Sequence, residues 1–255
     1  MAIALCSPDH EESLQSDAGN TGTFSFTVPS DCTFLIVCVS AYANDANYLS
    51  NETDAMRFND SVNMGKGYIT DASTSTWMGQ MFYLVNPTTG SVHVDWNFKG
   101  TTVPAGVLAS LYAIYLKGVD TSSPVRTTGG EQQAGGTQYE TGTLSGLQSG
   151  DMAIMFAWTY QTSDINLTWN PGTEISDDKN STINSAIAYH SPSGDTNYIM
   201  DNVGDDGGIS VLVVDGSGGT AAVTGTATAS ITEADVVAGN KTIIITLTGD
   251  TWIAS

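Results

Sequence analysis

The acidic segments are the first residues whose types and spacing could bind a metal ion. Residues 201–208, with the sequence DNVGDDGG, offer three carboxylates, one amide and three glycines. Calcium takes roughly six to eight oxygen ligands from a bendable loop, so these residue types suit it. The segment lacks the closing Glu of an EF-hand, and a second acidic pair lies at Asp177-Asp178. A solvated turn is the first interpretation and a calcium-supporting loop the alternative; the sequence identifies no other metal ligand and no cofactor-binding residue.

Histidine is the side chain most often used as a catalytic base near neutral pH, and the chain has three, at His10, His93 and His190. His93 lies on the polar side of an alternating strand and His190 ends one, so we expect surface or edge histidines. The Gly-x-Ser-x-Gly elbow of a serine hydrolase is missing from the sequence. Glycoside hydrolases need paired carboxylates, yet Asp95 stands alone between two apolar residues. The sequence therefore predicts no catalytic residue and no enzyme.

Aromatic side chains can stack on sugar rings, and six are candidates for such stacking: Trp77, Tyr83, Trp96, Trp158, Tyr160 and Trp169. Trp96 and Trp158 fall on the apolar parity of their strands, so we expect them to fill the core. Trp169 precedes the turn Asn170-Pro171-Gly172. It is therefore the best candidate for an exposed sugar-binding platform.

The negative charge of the chain arises from missing basic residues. Its 255 residues include 27 acidic and 7 basic side chains, and 13% are charged, against about 25% in an average soluble domain. So few basic residues cannot neutralise a nucleic-acid backbone or dock the chain on anionic lipid. No apolar run reaches the roughly 18 residues of a membrane helix. We expect no nucleic-acid partner and no membrane insertion.

The N-terminus MAIALCSPDH lacks the basic region and the long apolar stretch of a secretory signal. We therefore expect synthesis in the cytoplasm of a host, without export through a signal peptide. Cys6, Cys32 and Cys38 are an odd number without a C-x-x-C pair. This pattern favours buried or unreactive thiols over a disulfide framework or a zinc site.

Apolar and polar residues alternate with period two, which predicts half-buried antiparallel strands. An Asn-Pro-Thr-Thr-Gly loop at 86–90 predicts a hairpin between its flanking strands. Residues 33–43 and 106–116 are apolar on both parities, and we expect both to be buried strands. The predicted strands cover 22–28, 33–43, 55–58, 77–85, 91–98, 106–116, 139–144, 151–160, 183–189 and 208–214.

This spacing, with Gly, Pro and Asn turns, predicts an all-β fold, a two-sheet antiparallel jelly-roll sandwich. We expect an N-terminal extension over 1–19 and the jelly roll over 20–215. A Gly/Ser linker follows over 216–220. Residues 221–255 form a β-rich assembly segment or partial module, because two or three strands cannot close an independent core.

Three passages resemble the lectin-like jelly-roll modules of phage and bacterial surface proteins. They are FSFTVP from Phe24 followed by FLIVCVS from Phe34, FYLVNPTTG from Phe82, and GVDTSSP from Gly118. The tail, with KTIIITLTGDT from Lys241, resembles the start of a β-rich module of phage structural proteins. The resemblance implies an architecture, and such a fold serves capsid, fibre, lectin and enzyme roles.

From these features we expect a structural protein on the virion exterior, of fibre, knob or head-decoration type. It would work by homo-oligomeric assembly, with itself and other virion proteins as partners, and a trimer is expected for a fibre. A carbohydrate-binding adhesin or lectin, with or without calcium, is the alternative. The two can coexist, because a virion fibre can also bind a host-surface glycan.

Overall fold

The structure is a computed structural model that describes residues 2–15, 21–42, 56–71, 77–97, 109–134, 136–160, 166–180, 183–201 and 206–216. These residues form 17 β-strands and no helix, so no described helix is long and apolar enough to cross a membrane. The strands are β1 Ala4–Gln15, β2 Thr21–Val28, β3 Phe34–Tyr42, β4 Met56–Phe58, β5 Val62–Asn63, β6 Gly65–Asp71, β7 Trp77–Val85, β8 Gly90–Asn97, β9 Ala109–Lys117, β10 Val125–Ala134, β11 Gln138–Leu144, β12 Met152–Tyr160, β13 Thr168–Asn170, β14 Thr173–Asn180, β15 Ile183–His190, β16 Thr196–Asp201 and β17 Asp206–Val214.

The strands form four antiparallel sheets. The first inner sheet has the order β1-β9-β3-β7-β6, and the first outer sheet, β2-β8-β4-β5, packs on one of its faces. The second inner sheet has the order β10-β17-β12-β15-β14, and the second outer sheet, β11-β16-β13, packs on it in the same way. Apart from the small strand β5, the strand order of the first sandwich is repeated in the second. The body therefore contains two consecutive sandwiches of one topology.

The two inner sheets pack against each other, because a third apolar core joins them. This seam contains Phe34, Ile36 and Tyr112 from the first sandwich and Phe156 and Trp158 from the second, all without exposed surface. The inner sheets are thus covered on both faces. This arrangement explains why residues 33–43 and 106–116 are apolar on both parities: one parity faces the outer sheet and the other faces the seam.

The seam has an approximate twofold relationship. Strand β1 of the first sandwich contacts β14 of the second, and β6 contacts β10. Likewise β7 contacts β17, while β9 is hydrogen-bonded to β15 through Tyr112 and Ser185. In each of these two pairs, one contact is matched by another in which the two sandwiches exchange roles, as in an isologous dimer interface. Residues 1–219 accordingly form one compact unit.

The all-β, antiparallel sandwich character predicted from the sequence is confirmed. In both sandwiches the first strand of the inner sheet lies beside the last, as when two Greek keys fold over each other. The finer jelly-roll assignment stays a prediction. The strand predicted over 106–116 corresponds to β9.

The structure differs from the domain prediction in two respects, and a third part of that prediction lies outside the described residues. Residues 4–15, expected in an extension, form β1 and pair with β9. Residues 20–215, expected to form one pair of sheets, contribute to two pairs. The sequence did not predict this repeat, because it lies in strand order and burial rather than in recognisable sequence identity. The linker and tail predicted over 216–220 and 221–255 lie outside the described residues, except for Gly216.

The predicted hairpin around residues 86–90 is wrong. Strand β7 pairs with β3 and β6 in the inner sheet, whereas β8 pairs with β2 and β4 in the outer sheet. The loop crosses from one layer to the other, with positive φ at Asn86 and Gly90. Its turn residues are those of a hairpin, but its length also suffices to span the roughly 10 Å between packed sheets.

Candidate functional site

The candidate site lies on the outward face of the first outer sheet. Strand β8 alternates Val92, Val94 and Trp96 into the core with Ser91, His93 and Asp95 outward. Its register with β2 places three hydroxyl residues beside the outward set: Thr23 faces Asp95, Ser25 faces His93 and Thr27 faces Ser91. A row of polar side chains therefore crosses this face.

The turn between β4 and β5 brings a second acidic residue to the same place. Asn59 and Asp60 have φ values of 47° and 61°, a left-handed conformation that Asn and Asp tolerate better than most residues. The Asn59 N–H donates to the His93 carbonyl at 3.0 Å, and the Asn59 Oδ1 accepts from the His93 N–H at 3.1 Å. These two hydrogen bonds fix the turn against β8, so Asp60 lies next to His93.

The carboxylates of Asp60 and Asp95 flank the His93 ring. The Nε2 atom of His93 lies 3.4 Å from Asp60 Oδ2 and 3.4 Å from Asp95 Oδ2. One potential ligand atom from each of the three residues lies within 4.8 Å of the other two. The Thr23 hydroxyl donates to Asp95 Oδ1 at 2.7 Å, which fixes the carboxylate orientation. The other oxygen, Asp95 Oδ2, is shielded from solvent and receives no hydrogen bond.

A shallow groove of about 390 Å³ adjoins this cluster. Its polar lining comes from Glu11, Ser25, Thr27, Ser91 and His93. Glu11 Oε1 is held in place by the Thr27 N–H at 2.8 Å. An open groove rimmed by hydroxyls, a carboxylate and an imidazole can accept hydrogen bonds from, and donate them to, a polyhydroxylated ligand.

Several predicted site residues lie elsewhere. Trp169 was the best candidate for an exposed platform, and this prediction is wrong. Its side chain is 9% exposed and packs beside Met200 in the core between the second inner and outer sheets. The strand β13 begins one residue before it, and alternation turns its side chain inward. Trp96 and Trp158 are buried, as predicted. The side chain of Trp77 lies outside the described residues.

The other two histidines have separate, local contacts. His10 Nδ1 lies 2.8 Å from Asp9 Oδ1, an ordinary hydrogen-bond distance. His190 lies near Tyr198, and burial lowers the pKa of its imidazole. Within the described residues, neither belongs to a group of three potential metal ligands like the one around His93.

The acidic segments examined for calcium have different outcomes. Residues 202–205 lie outside the described residues, so a calcium-supporting loop there stays a prediction. In the other pair, Asp177 accepts the Leu167 N–H at 3.1 Å, and Asp178 accepts the Ser176 hydroxyl at 2.7 Å. These hydrogen bonds give Asp177 and Asp178 a structural role on β14.

The Ser176 hydroxyl also lies 3.1 Å from Glu12 Oε2 on β1, so two carboxyl groups meet at the edge of the seam. One hydroxyl carries one proton and cannot donate to both groups at once. A hydrogen bond from Glu12 to Asp178, together with burial, raises the pKa of Glu12. When Glu12 is protonated, its own hydroxyl can donate to Asp178, and the Ser176 hydroxyl no longer has to serve both carboxyl groups.

The cysteines are buried and free, as predicted. Burial raises the pKa of the Cys6 thiol to about 12, and it also raises the pKa values of Cys32 and Cys38. Because the thiolate is the reactive form, these groups are poor nucleophiles.

The cluster around His93 was not predicted from the sequence. One signal was available, since His93 and Asp95 are two residues apart on a strand and share its outward face. The third residue, Asp60, follows the short strand β4, and its sequence separation from β8 gives no indication that the two lie close together. Only the pairing of β4 with β8 shows that they meet. Comparison with family models, curated proteins and solved structures gave no match to this chain.

Proposed function

We propose that the protein is a structural component on the exterior of a virus or phage particle, of fibre, knob or head-decoration type. It assembles with copies of itself and with other virion proteins, and it is not an enzyme. The observation that carries this proposal is the four-layer body, in which both large sheets are covered by other layers. The two small outer sheets are left to meet partners.

The outer sheets support assembly, and strand β5 is the edge at which we place the contact. Basic residues, which commonly block edge pairing, are absent from their edge strands β2, β5, β11 and β13. The edges of the inner sheets differ, because Lys66 lies on β6 and Lys179 on β14. On β5, the edge residue Val62 is 44% exposed. This edge is the described surface best suited to a contact between subunits.

Light scattering coupled to size-exclusion chromatography tests this proposal. The full chain should run as an oligomer at micromolar concentration, and a trimer is expected for a fibre. Val62→Lys should weaken the assembly, whereas Thr127→Lys in the inner-sheet strand β10 serves as a charge-matched control. A monomeric full chain, together with a monomeric chain ended after Gly219, would contradict the assembly role.

A carbohydrate-binding adhesin is the second candidate, and the groove beside His93 favours it. The groove is open and lined largely by hydroxyl and charged groups. A glycan array probed with the full chain, with and without added calcium, separates the two roles. An assembly subunit should bind no glycan, whereas an adhesin should bind a defined set that Ser25→Val and Ser91→Val reduce.

The non-enzymatic role has its own test. We expect no turnover on broad panels of glycosidase and esterase substrates. Turnover that the His93→Gln variant loses would replace both proposals with an enzymatic one.

A further inference from the structure

We propose that Asp60, His93 and Asp95 form a binding site for one divalent zinc-like transition-metal ion. Each residue supplies one ligand atom, and a water molecule or a ligand oxygen completes a four-coordinate site. This inference does not depend on the proposed virion role, because it rests on the geometry of the first outer sheet.

The spacing of the ligand atoms carries the first step. The two distances of 3.4 Å from His93 Nε2 to the carboxylate oxygens exceed the usual range of an N–H···O hydrogen bond. Two ligands of a tetrahedral zinc ion, each about 2.0–2.1 Å from the metal, lie about 3.3–3.4 Å apart. The pair His10 and Asp9, at 2.8 Å, shows the distance of a direct imidazole–carboxylate contact in the same chain.

Asp95 carries the second step. Its Oδ2 atom is shielded from solvent and has no hydrogen-bond donor. Leaving a carboxylate oxygen buried and unpaired costs free energy. The Thr23 hydroxyl donates a hydrogen bond to the other carboxylate oxygen, Asp95 Oδ1, at 2.7 Å. Carboxylates that bind metals are commonly oriented by such hydrogen bonds from residues that do not touch the metal. A cation between Asp95 Oδ2 and His93 Nε2 satisfies the unpaired oxygen.

The turn at Asn59 and Asp60 places the third ligand, the Asp60 carboxylate, before any metal binds. The two hydrogen bonds between Asn59 and the backbone of His93 hold Asp60 beside the imidazole without any metal. Arg57 pairs with Asp95 in the sheet register and lies outward. The two carboxylates carry one more formal charge than the guanidinium of Arg57, which favours a cation.

The donor set selects the metal. Calcium and magnesium take oxygen ligands, whereas imidazole suits zinc, copper, iron and nickel. A site with one imidazole and two carboxylates therefore differs from the calcium loop considered for residues 201–208. Of the outward residues Asn197, Ile199 and Asp201 on β16, none is a histidine, so the second sandwich does not repeat the site on that strand.

Calorimetric titration of the full, chelator-treated chain with zinc chloride tests the site. We expect one saturable equivalent, lost in His93→Gln and weakened at least tenfold in Asp95→Asn and Asp60→Asn. Thr23→Val should weaken binding about tenfold, because it removes the orienting hydrogen bond. The matched control His10→Gln should bind like the unaltered chain.

Cobalt titration of the unaltered chain keeps the test decisive if a variant misfolds. We expect intense visible absorption bands of a four-coordinate ion and a shift of the His93 imidazole resonances. The absence of both, or zinc binding that His93→Gln leaves unchanged, overturns the proposal. The cluster would then be an imidazole between two carboxylates that holds no metal ion.

Discussion

The phenol of Tyr112 donates a hydrogen bond to the backbone carbonyl of Ser185, 3.0 Å away, and thereby joins the two sandwiches. The same phenol lies 2.8 Å from the Ser185 hydroxyl. Both side chains have no exposed surface, and burial raises the pKa of Tyr112 well above its usual range. The neutral phenol is therefore a polar contact within an apolar seam, where it fixes the position of β9 against β15.

We expect Tyr112→Phe to lower the free energy of unfolding by about 1–2 kcal/mol, because the variant leaves a buried carbonyl with one partner fewer. Urea denaturation followed by tryptophan fluorescence measures the change. A double-mutant cycle with Ser185→Ala separates the hydroxyl–hydroxyl contact from the bond to the carbonyl. Unchanged stability in Tyr112→Phe would mean that the seam does not depend on this bond.

The paired carboxyls of Glu12 and Asp178 predict a pH dependence. The folded-state pKa of Glu12 is raised above its ordinary value of 4.5. The folded state therefore binds this proton more tightly than the unfolded state. Its stabilising contribution is fully present below about pH 4.5 and is lost as the pH rises through the folded pKa.

Glu12→Gln should remove this loss, so the variant should gain stability relative to the parent chain as the pH rises from about 4.5 to 7. Chemical denaturation at several pH values within that window measures the difference. Glu174→Gln, an exposed carboxyl on the same strand as Asp178, is the matched control. Parallel stability profiles for Glu12→Gln and the parent would contradict the shared proton.

The sequence predicts individual strands well because period-two alternation and burial on both parities are local signals. Residues 106–116 illustrate this, since their apolar content and flanking turns already favoured a buried strand. Which sheet each strand joins is not local. The loop at residues 86–90 has hairpin residues, yet the partners of β7 and β8 lie in different layers, and only the packing of those layers determines its path.

The candidate site shows the same division. That His93 and Asp95 share a strand face follows from their spacing alone. The approach of Asp60 requires the register between β4 and β8, and the orientation of the Asp95 carboxylate requires the Thr23 hydroxyl from β2. Trp169 failed as a platform because its outward placement was judged from the following turn, whereas β13 directs it into the second core.

Arg126, at the start of β10, joins the residue before β12 to the residue after β17, which lie together at one end of the second inner sheet. Its Nε atom lies 2.7 Å from Asp151 Oδ2, and a terminal guanidinium nitrogen lies 2.7 Å from Asp215 Oδ2. Asp151 is 2% exposed and also accepts the Gln148 N–H at 2.8 Å. The two carboxylates hold the pKa of the guanidinium above its usual value.

We expect Asp151→Ala to cost about 2–3 kcal/mol, since it removes one partner of a mostly buried ion pair and an acceptor of a backbone N–H. Asp215→Ala should cost less, about 1 kcal/mol, because that carboxylate is partly exposed and more strongly screened. Thermal and urea unfolding measure both. Equal losses in the two variants would contradict the argument that burial distinguishes them.

Glu11 and Glu131 lie on equivalent strands of the two sandwiches and make the same kind of contact. The Glu11 carboxylate on β1 accepts the Thr27 N–H of β2 at 2.8 Å, and the Glu131 carboxylate on β10 accepts the Glu140 N–H of β11 at 2.8 Å. In each case an inner-sheet strand occupies a backbone donor of an outer-sheet edge strand. An occupied donor cannot pair with another chain, so these carboxylates protect two edges that carry no basic residue.

Glu11→Ala and Glu131→Ala should each cost about 1 kcal/mol and, more importantly, expose an edge donor. We expect faster association at high protein concentration, measured by light scattering during mild heating, and a larger effect in the double variant. Glu174→Ala, which removes an exposed carboxyl elsewhere, controls for the change in net charge. If all three single variants associate at the parent rate, the similar contacts of Glu11 and Glu131 reflect the common strand order of the two sandwiches and not edge protection.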